Sequence, residues 1–330
     1  MITNPIPKHG LMLIAVVWSL WRLAAGPNPL AIVAAHWPIS VTMIFGSLVA
    51  GSTSEGGGVV AFPVLTKLLH IAPTDAKVFS LAIQSVGMTS ATIVIILSRI
   101  AVEWRVICWA TLGGIPGIVL GSALLAPQLP SDAIKLAFTV MVSSFAIALY
   151  LVNRVDRACY EWIPKVGVRE KSLLLAAGFL GGILSGLVGS GIDIVCFSLM
   201  VLLFRLSVKV ATPTSVVLMA LSAVVGFCLH YFFIGGFTET VRNYWLAAVP
   251  VVVIGAPAGA LICARLNNKT IANVLIGLIG IELVSTLWII PLNERLLLTG
   301  ASAFICFSFL FYTMHRSNLY SPEPLPADRR

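Results

Sequence analysis

Long apolar runs, separated by short polar stretches, are the feature of this sequence that most limits its fold. Lipid hydrocarbon offers no hydrogen-bond partners, so a chain that crosses it must satisfy its own backbone as helices or as a closed barrel. The runs are unbroken and lack the alternation of barrel strands, so they predict helices. Their approximate bounds are 11–25, 39–50, 57–71, 76–98, 104–125, 132–152, 172–188, 190–206, 210–234, 244–265, 271–291 and 296–313.

Composition supports a lipid environment, because 58% of the residues are hydrophobic and only 10% are charged. A chain this apolar lacks the polar surface that a soluble globule needs. The net charge is +8, but the Lys and Arg residues lie between the apolar runs and not in one patch. We therefore interpret them as residues that orient the chain in the membrane, and we expect no nucleic-acid partner. The six cysteines lack metal-ligand spacing, and neither a metal nor a cofactor is expected. We therefore predict an all-α polytopic protein, with 10–12 hydrophobic segments, in the cell membrane.

One hydrophilic stretch divides the chain into halves. Residues 153–171 contain eight charged side chains, and no other stretch between apolar runs is as polar. The predicted divisions are an N-terminal helix and connector at 1–38, a first transmembrane repeat at 39–152, a cytoplasmic linker at 153–171, a second repeat at 172–291, and a last helix with a polar C-terminal tail at 292–330.

The two halves resemble one another. Residues 51–80 align with 186–215 without a gap at an offset of 135, with seven identities that include two glycines. Further along, Trp104, Gly114 and Pro116 match Trp245, Gly255 and Pro257 at an offset of 141. Glycine, proline and tryptophan have specific backbone and interfacial roles, so these matches predict an internal repeat.

Positive charges give the orientation of the halves, because cytoplasmic loops hold an excess of Lys and Arg. If each pair of short segments around a break is one broken span, the halves run parallel and the charges divide ten to eleven. If each pair returns to the side from which it came, the halves are inverted and fifteen of the 21 Lys and Arg lie inside. The bias predicts an inverted repeat with both termini cytoplasmic. A re-entrant hairpin and two short membrane spans both return the chain to the same side, so the charge distribution does not distinguish between them.

Each half contains a short Gly/Ser-rich break, at 51–58 and at 186–193. An interrupted membrane helix presents free amides and the positive end of its dipole, which together can bind an anion. Glycine can also serve only to bring helices close together. The matching positions of the two breaks favour binding. The predicted substrate-binding residues in the breaks are Ser52, Thr53, Ser54, Gly56, Gly57, Gly189, Ser190 and Gly191.

Four further polar residues have two interpretations each. Glu55 and Asp193 lie at the breaks, where an intramembrane carboxylate suggests a proton-coupling group, but each also precedes an apolar segment as an N-cap would. Ser80 and Gln84 share a helical face and are predicted to line the substrate site, with helix–helix hydrogen bonding as the alternative.

These residues resemble the sulfite exporter TauE/SafE family of permeases, whose halves each carry a Gly-x-Gly-Gly-Gly break. The first half is similar in the stretches 54–58 and 62–65, then in Ala76 and Ser80. The second half is similar in the stretch 189–191, then in Phe197, Ala211, Thr214 and Ser215. It departs from the pattern at Ile192 and Asp193, which replace two glycines, and at Ser198, which replaces a proline.

The resemblance implies a fold over roughly residues 39–291 and a function, the movement of small anions such as sulfite, sulfonates or sulfonated carboxylates. It adds Thr214 and Ser215 to the predicted binding residues. We expect an alternating-access carrier, with proton coupling as an open question. Its expected partners are a small anionic substrate and the surrounding lipid. An anion channel is the alternative. An intramembrane serine protease built from Ser185 and His230 is disfavoured, because the spacing is wrong and no further catalytic group stands out, so no enzyme is predicted.

Overall fold

The computed structural model describes residues 8–54, 61, 64–153, 159–164, 166–289 and 294–316. Over these residues the chain forms twelve helices and no strand. Their bounds are α1 Lys8–Ala25, α2 Pro29–Ala35, α3 Trp37–Ser52, α4 Pro73–Leu97, α5 Trp104–Val119, α6 Ser131–Asn153, α7 Val168–Val188, α8 Ile192–Ser198, α9 Val208–Leu229, α10 Glu239–Arg265, α11 Asn268–Ile289 and α12 Glu294–Arg316. Wider π-helical turns extend α5 to Leu125, α8 to Leu203 and α9 to Ile234, and a separate one covers Val64–Leu68.

The predicted apolar runs correspond closely to these helices, except that most of the run 57–71 before Val64 lies outside the described residues. Within the described residues, seven helices are long and apolar enough to cross a membrane, or eight if the bent α2–α3 pair is one span. Large apolar side chains such as Leu23, Phe233 and Trp288 point outward, as they do where lipid is the solvent. The all-α polytopic class is therefore confirmed. Helix α2 was not predicted, because its seven residues are too few to stand out as a span and it meets α3 at 85°.

Helices α3 and α10 pack in parallel through small residues. A side chain at Gly51 would strike the backbone at Ala256 and Ala260, and one at Gly259 would strike the backbone of Leu48. Earlier along α3, Ser40 Oγ donates to the Ala247 carbonyl at 2.8 Å and Ser47 lies against Gly255, so the residue numbers of the contacting pairs rise together and both helices run in the same direction. Without side chains between them, the backbones approach closely enough for extensive van der Waals contact.

Helices α5 and α7 form the second parallel pair, with glycine on both sides. A side chain at Gly113 would meet the Leu175 carbonyl, one at Gly117 the Phe179 carbonyl, and one at Gly121 the Ile183 carbonyl. From α7, Gly178 and Gly182 approach the backbone of α5 in the same way. In each of the two pairs, one helix comes from each half of the chain.

Helices α4 and α9 run antiparallel through the centre of the protein. Leu81, near the start of α4, packs on Gly226, near the end of α9. Met88 and Ile95, further along α4, lie in one apolar cluster with Val216 of α9. Trp245 of α10 donates from its indole to the Ala82 carbonyl at 3.0 Å, so α10 lies along α4 as well.

Helices α7 and α8 form a hairpin that returns to the side from which it came. After α8 the chain pairs with the linker that precedes α7, since the Tyr160 amide donates to the Arg205 carbonyl at 2.9 Å and the Ser207 amide to the Tyr160 carbonyl at 2.8 Å. The short α8 does not reach as far as α7, because its twelve residues including the π-helical turn extend only about 18 Å at 1.5 Å per residue. We call the side with the linker the linker face, and the opposite side the far face.

A buried carboxylate ties the linker to the helices on the linker face. Glu103 accepts two 2.7 Å hydrogen bonds from Arg105 and one of 2.9 Å from the Ile163 amide, and its own amide donates to Thr214 Oγ1 at 3.0 Å. Burial acts to raise the pKa of Glu103, but the hydrogen bonds from Arg105 and Ile163 and the charge of Arg105 outweigh it. The pKa therefore lies below its usual value, and the charged form of Glu103 stabilises the fold.

We expect Glu103→Gln to lower the free energy of unfolding at pH 7 by about 2 kcal/mol, the value of a charge-assisted hydrogen-bond pair. Because the pKa is lowered in the folded state, this contribution is complete above the unfolded pKa of about 4.3 and is lost as the pH falls through the folded value. The melting temperatures of wild type and variant in detergent should therefore differ at pH 7 and converge below about pH 4. Glu161→Gln is the matched control, since Glu161 lies exposed in the same linker. An equal loss for both variants would contradict the role of Glu103.

Candidate functional site

The second break is a sharp turn between α7 and α8 that only glycine forms without strain. Gly189 ends α7 in the left-handed region at φ +95°, and its amide donates to the Ser185 carbonyl at 2.8 Å. Gly191 follows at φ +154°, where a side chain would strike Leu184. The Ile192 amide then donates to Ser185 Oγ at 3.0 Å, so the start of α8 is fixed against the end of α7.

The second break faces the polar side of α4. Gln84 Nε2 donates to Ser80 Oγ at 2.6 Å and to the Gly189 carbonyl at 3.3 Å. A β-carbon at Gly189 would lie 2.9 Å from Ser80 Cβ and 3.0 Å from the Lys77 carbonyl. The structure thus brings together three of the residues that the sequence predicted for binding: Ser80, Gln84 and Gly189.

Several polar atoms at the second break are buried without a hydrogen-bond partner in the described part of the chain. They are Ser190 Oγ, Asp193 Oδ2 and Gln84 Oε1. The other oxygen of Asp193 accepts from the Gly191 amide at 2.8 Å, so half of this carboxylate has the turn-stabilising role that an acidic residue at a helix start often has. An unpaired buried polar group costs about 1–3 kcal/mol. Three of them at one turn are therefore unfavourable until a ligand or water pairs with them.

The first break is described only to residue 54, and the predicted residues Glu55, Gly56 and Gly57 lie outside the described residues. Ser52 and Thr53 both donate to the Val49 carbonyl, at 3.2 and 2.9 Å, so their hydroxyls bond to the last turn of α3. Ser54 Oγ is buried with no partner. Of the three hydroxyls, that of Ser54 is the one left to bind a ligand.

A small cavity lies between α3, α4 and α10. Its volume is about 20 Å³, room for about one water molecule. Ser47 of α3 and Ser80 and Gln84 of α4 contribute its polar atoms, and Ala61 lines it from beyond the first break. The polar face of α4 that contacts the second break is thus closed from solvent in this conformation.

The structure gives Thr214 and Ser215 other partners. Thr214 Oγ1 donates to the Val210 carbonyl at 2.7 Å and accepts the Glu103 amide, on the linker face. Ser215 Oγ donates to the Thr212 carbonyl at 2.8 Å. The two hydroxyls hold α9 and its neighbour in place and do not reach the turn at Gly189 through any hydrogen bond described.

Two buried ionisable residues were not assigned from the sequence. Lys77 is only 6% exposed and His230 only 3% exposed, and the two are electrostatic neighbours. Lys77 precedes Ser80 by three residues and Gln84 by seven, which places all three on one face of α4. This spacing is the sequence signal that would have identified Lys77. By contrast, buried Glu282 accepts hydrogen bonds from Thr139 and Thr286, as a structural carboxylate would.

Comparisons with known proteins agree with the polytopic membrane fold. The sequence model of the family described as Sulfite exporter TauE/SafE matches residues 39–285. The chain is 26% identical over 273 residues to a protein of Bacillus subtilis (strain 168) named probable membrane transporter protein YunE. That alignment covers 74% of this chain and 97% of the relative. No solved structure matches the chain.

Proposed function

The chain belongs to the sulfite exporter TauE/SafE family of membrane transporters, and on that premise we propose that it carries a small anion across the membrane by alternating access. The anion is sulfite, a sulfonate or a related organic anion. It binds at the second break, between the start of α8 and the polar face of α4. The observation that carries the proposal is the unpaired buried hydroxyl of Ser190 at this turn, which can donate to a bound oxoanion. The unpaired acceptor oxygens beside it, Asp193 Oδ2 and Gln84 Oε1, would accept from the water that accompanies the anion.

Ser80, Gln84, Ser190 and the glycines of the turn are the proposed contacts at the second break. The hydroxyls of Ser80 and Ser190 donate to oxoanion oxygens, and the glycines allow the backbone to approach. The Gln84 amide orients the Ser80 hydroxyl and the Gly189 carbonyl through its two N–H groups. Ser54 and the remainder of the first break are proposed as the opposing side of the site. The small cavity beside Ser80 suits a closed state, from which the halves must move to admit substrate.

We propose that the halves are related as an inverted repeat, which supplies the two alternating conformations. The antiparallel crossing of α4 and α9 supports it, because these are equivalent helices under the 135-residue offset. The two parallel pairs support it as well. Under the repeat offsets α3 corresponds to α7 and α5 to α10, so the pair α3–α10 is equivalent to the pair α7–α5.

The linker face is proposed to be cytoplasmic, with both termini on that side. Arg242, at the start of α10, donates to the Ala24 carbonyl at the end of α1, so α1 begins on the linker face. Helix α12 runs parallel to α6, as the contacts of Gly300 with Leu136 and of Phe311 with Phe145 indicate, and so ends on the linker face. The excess of Lys and Arg in the loops of this face supports its cytoplasmic position.

Counterflow in proteoliposomes tests the carrier against the channel. A carrier loaded with unlabelled sulfite should accelerate the entry of labelled sulfite, with a rate that saturates. A channel would instead give a current that grows in proportion to the driving force. Ohmic conductance without counterflow, or the absence of movement of any sulfite, sulfoacetate or thiosulfate, would refute the proposed function.

Asp193 is proposed as the proton-coupling group, because one of its oxygens is buried without a partner beside the proposed site. We expect Asp193→Asn to remove the dependence of flux on an imposed pH gradient, while counterflow at equal pH falls by less than about threefold. The amide keeps an oxygen for the Gly191 amide, so the turn should survive. Unchanged gradient dependence in Asp193→Asn would exclude this residue as the coupling group. Exposed Glu239→Gln is the control.

A further inference from the structure

A lysine with no acidic partner among the described residues lies inside the membrane region next to the proposed site. Lys77 is in the second turn of α4 and is only 6% exposed. The Lys77 ammonium has no ion pair and no side-chain hydrogen bond within the described part of the chain, unlike Arg105, which pairs with Glu103. A buried ammonium without a counter-charge is costly, so such a residue in a membrane protein usually marks a functional site.

The position of Lys77 links it to the second break. Its carbonyl and the Ser80 side chain both lie against Gly189, and Lys77, Ser80 and Gln84 follow one another along the same face of α4. This face combines a positive charge, a hydroxyl and an amide within about two helical turns. The positive charge of Lys77 makes this face attractive to a negatively charged oxoanion and repulsive to a cation.

His230 provides an independent observation that points to a ligand. Both of its ring nitrogens are buried and have no hydrogen-bond partner in the described structure, although the residue is only 3% exposed. The ring and the side chain of Val78, the residue after Lys77, both lie close to Gly236. A neutral imidazole always has one N–H to donate, so an acceptor is missing here.

We propose that Lys77 and His230 bind the negatively charged group of the transported anion, on the far-face side of the second break. The inference rests on the proposed function and extends it, because it adds a charged group that selects anions over neutral isosteres. Lys77 attracts the anion as a point charge, and His230 donates one hydrogen bond. The ligand class is a compact oxoanion such as sulfite or a small sulfonate.

Calorimetry tests the inference. It compares the binding of methanesulfonate with that of its neutral isostere methanesulfonamide to the purified full-length protein. We expect Lys77→Met to weaken methanesulfonate binding by about 10- to 100-fold, the loss of one charged hydrogen bond, and to leave methanesulfonamide binding unchanged. Lys77→Arg should keep most of the affinity. His230→Leu should weaken methanesulfonate binding by about 3- to 10-fold, as expected for a neutral donor. Sulfite titrations should show the same order of variants.

Lys209→Met is the matched control, because Lys209 is an exposed lysine at the start of α9. Removal of an unpaired buried charge should also raise the melting temperature of ligand-free Lys77→Met, whereas a lysine that only stabilises the fold would give a decrease. Methanesulfonate affinity in Lys77→Met within about twofold of wild type would overturn the inference while the proposed function stands. If wild type binds no anion and shows no counterflow, the proposed function fails, and the inference fails with it.

Discussion

Gly178→Ala is expected to prevent stable packing of α5 against α7. The added methyl group would overlap the carbonyl oxygen of Ala110, and the backbone of α5 cannot move away without separating the whole glycine-lined interface. Overpacking a rigid site costs about 1–3 kcal/mol and more where backbone must move, so we expect a loss of about 3 kcal/mol or more. The measurements are the melting temperature in detergent and the fraction of monodisperse protein.

Gly280→Ala provides the control for this prediction. Gly280 lies in a membrane helix too, but no atom lies within 4 Å of an added β-carbon. Both substitutions gain the higher helix propensity of alanine, about 1 kcal/mol, so their difference isolates the steric effect. We expect Gly280→Ala to be neutral or slightly stabilising. Equal melting temperatures for the two variants would show that α5 and α7 do not need their close contact.

Gly189→Ala is expected to abolish anion transport, because it changes both the conformation and the space of the second break. An alanine at φ +95° costs about 1–2 kcal/mol, and its methyl group would crowd Ser80 and the Lys77 carbonyl at 2.9–3.0 Å. Ser80 and Gln84 would have to move from the positions proposed for binding. We expect counterflow of sulfite to fall by at least about tenfold, an effect of about 1.4 kcal/mol on the site.

Gly235→Ala separates the effect of backbone strain from the effect of steric crowding. Gly235 also has a positive φ, +75°, but an added β-carbon would meet no atom within 4 Å. Both variants should therefore lose similar stability from backbone strain, and only Gly189→Ala should lose transport. If Gly235→Ala impairs counterflow equally, or if Gly189→Ala transports normally, the second break is not the site of binding.

The sequence alone determined the helices and the class of protein. Whether a segment crosses a membrane depends on its own length and hydrophobicity, because the hydrocarbon requires about 20 apolar residues and internal backbone bonding. The breaks were also visible, since glycines such as Gly189 and Gly191 mark positions where a helix has to end. The motifs in the two halves were specific enough to indicate the family, which the match over residues 39–285 confirmed.

Only the tertiary structure decided which polar residues meet one another. Thr214 and Ser80 were both predicted to bind substrate, but Thr214 bonds to the Glu103 amide on the linker face whereas Ser80 contacts the second break. Lys77 shares a helical face with Ser80 and Gln84 in the sequence, but only the structure shows its burial beside His230. The physical reason is that helix formation depends on neighbours along the chain, whereas burial and pairing depend on residues from distant segments. The α7–α8 hairpin likewise followed from the contact between Tyr160 and Leu206, which no count of crossings predicts.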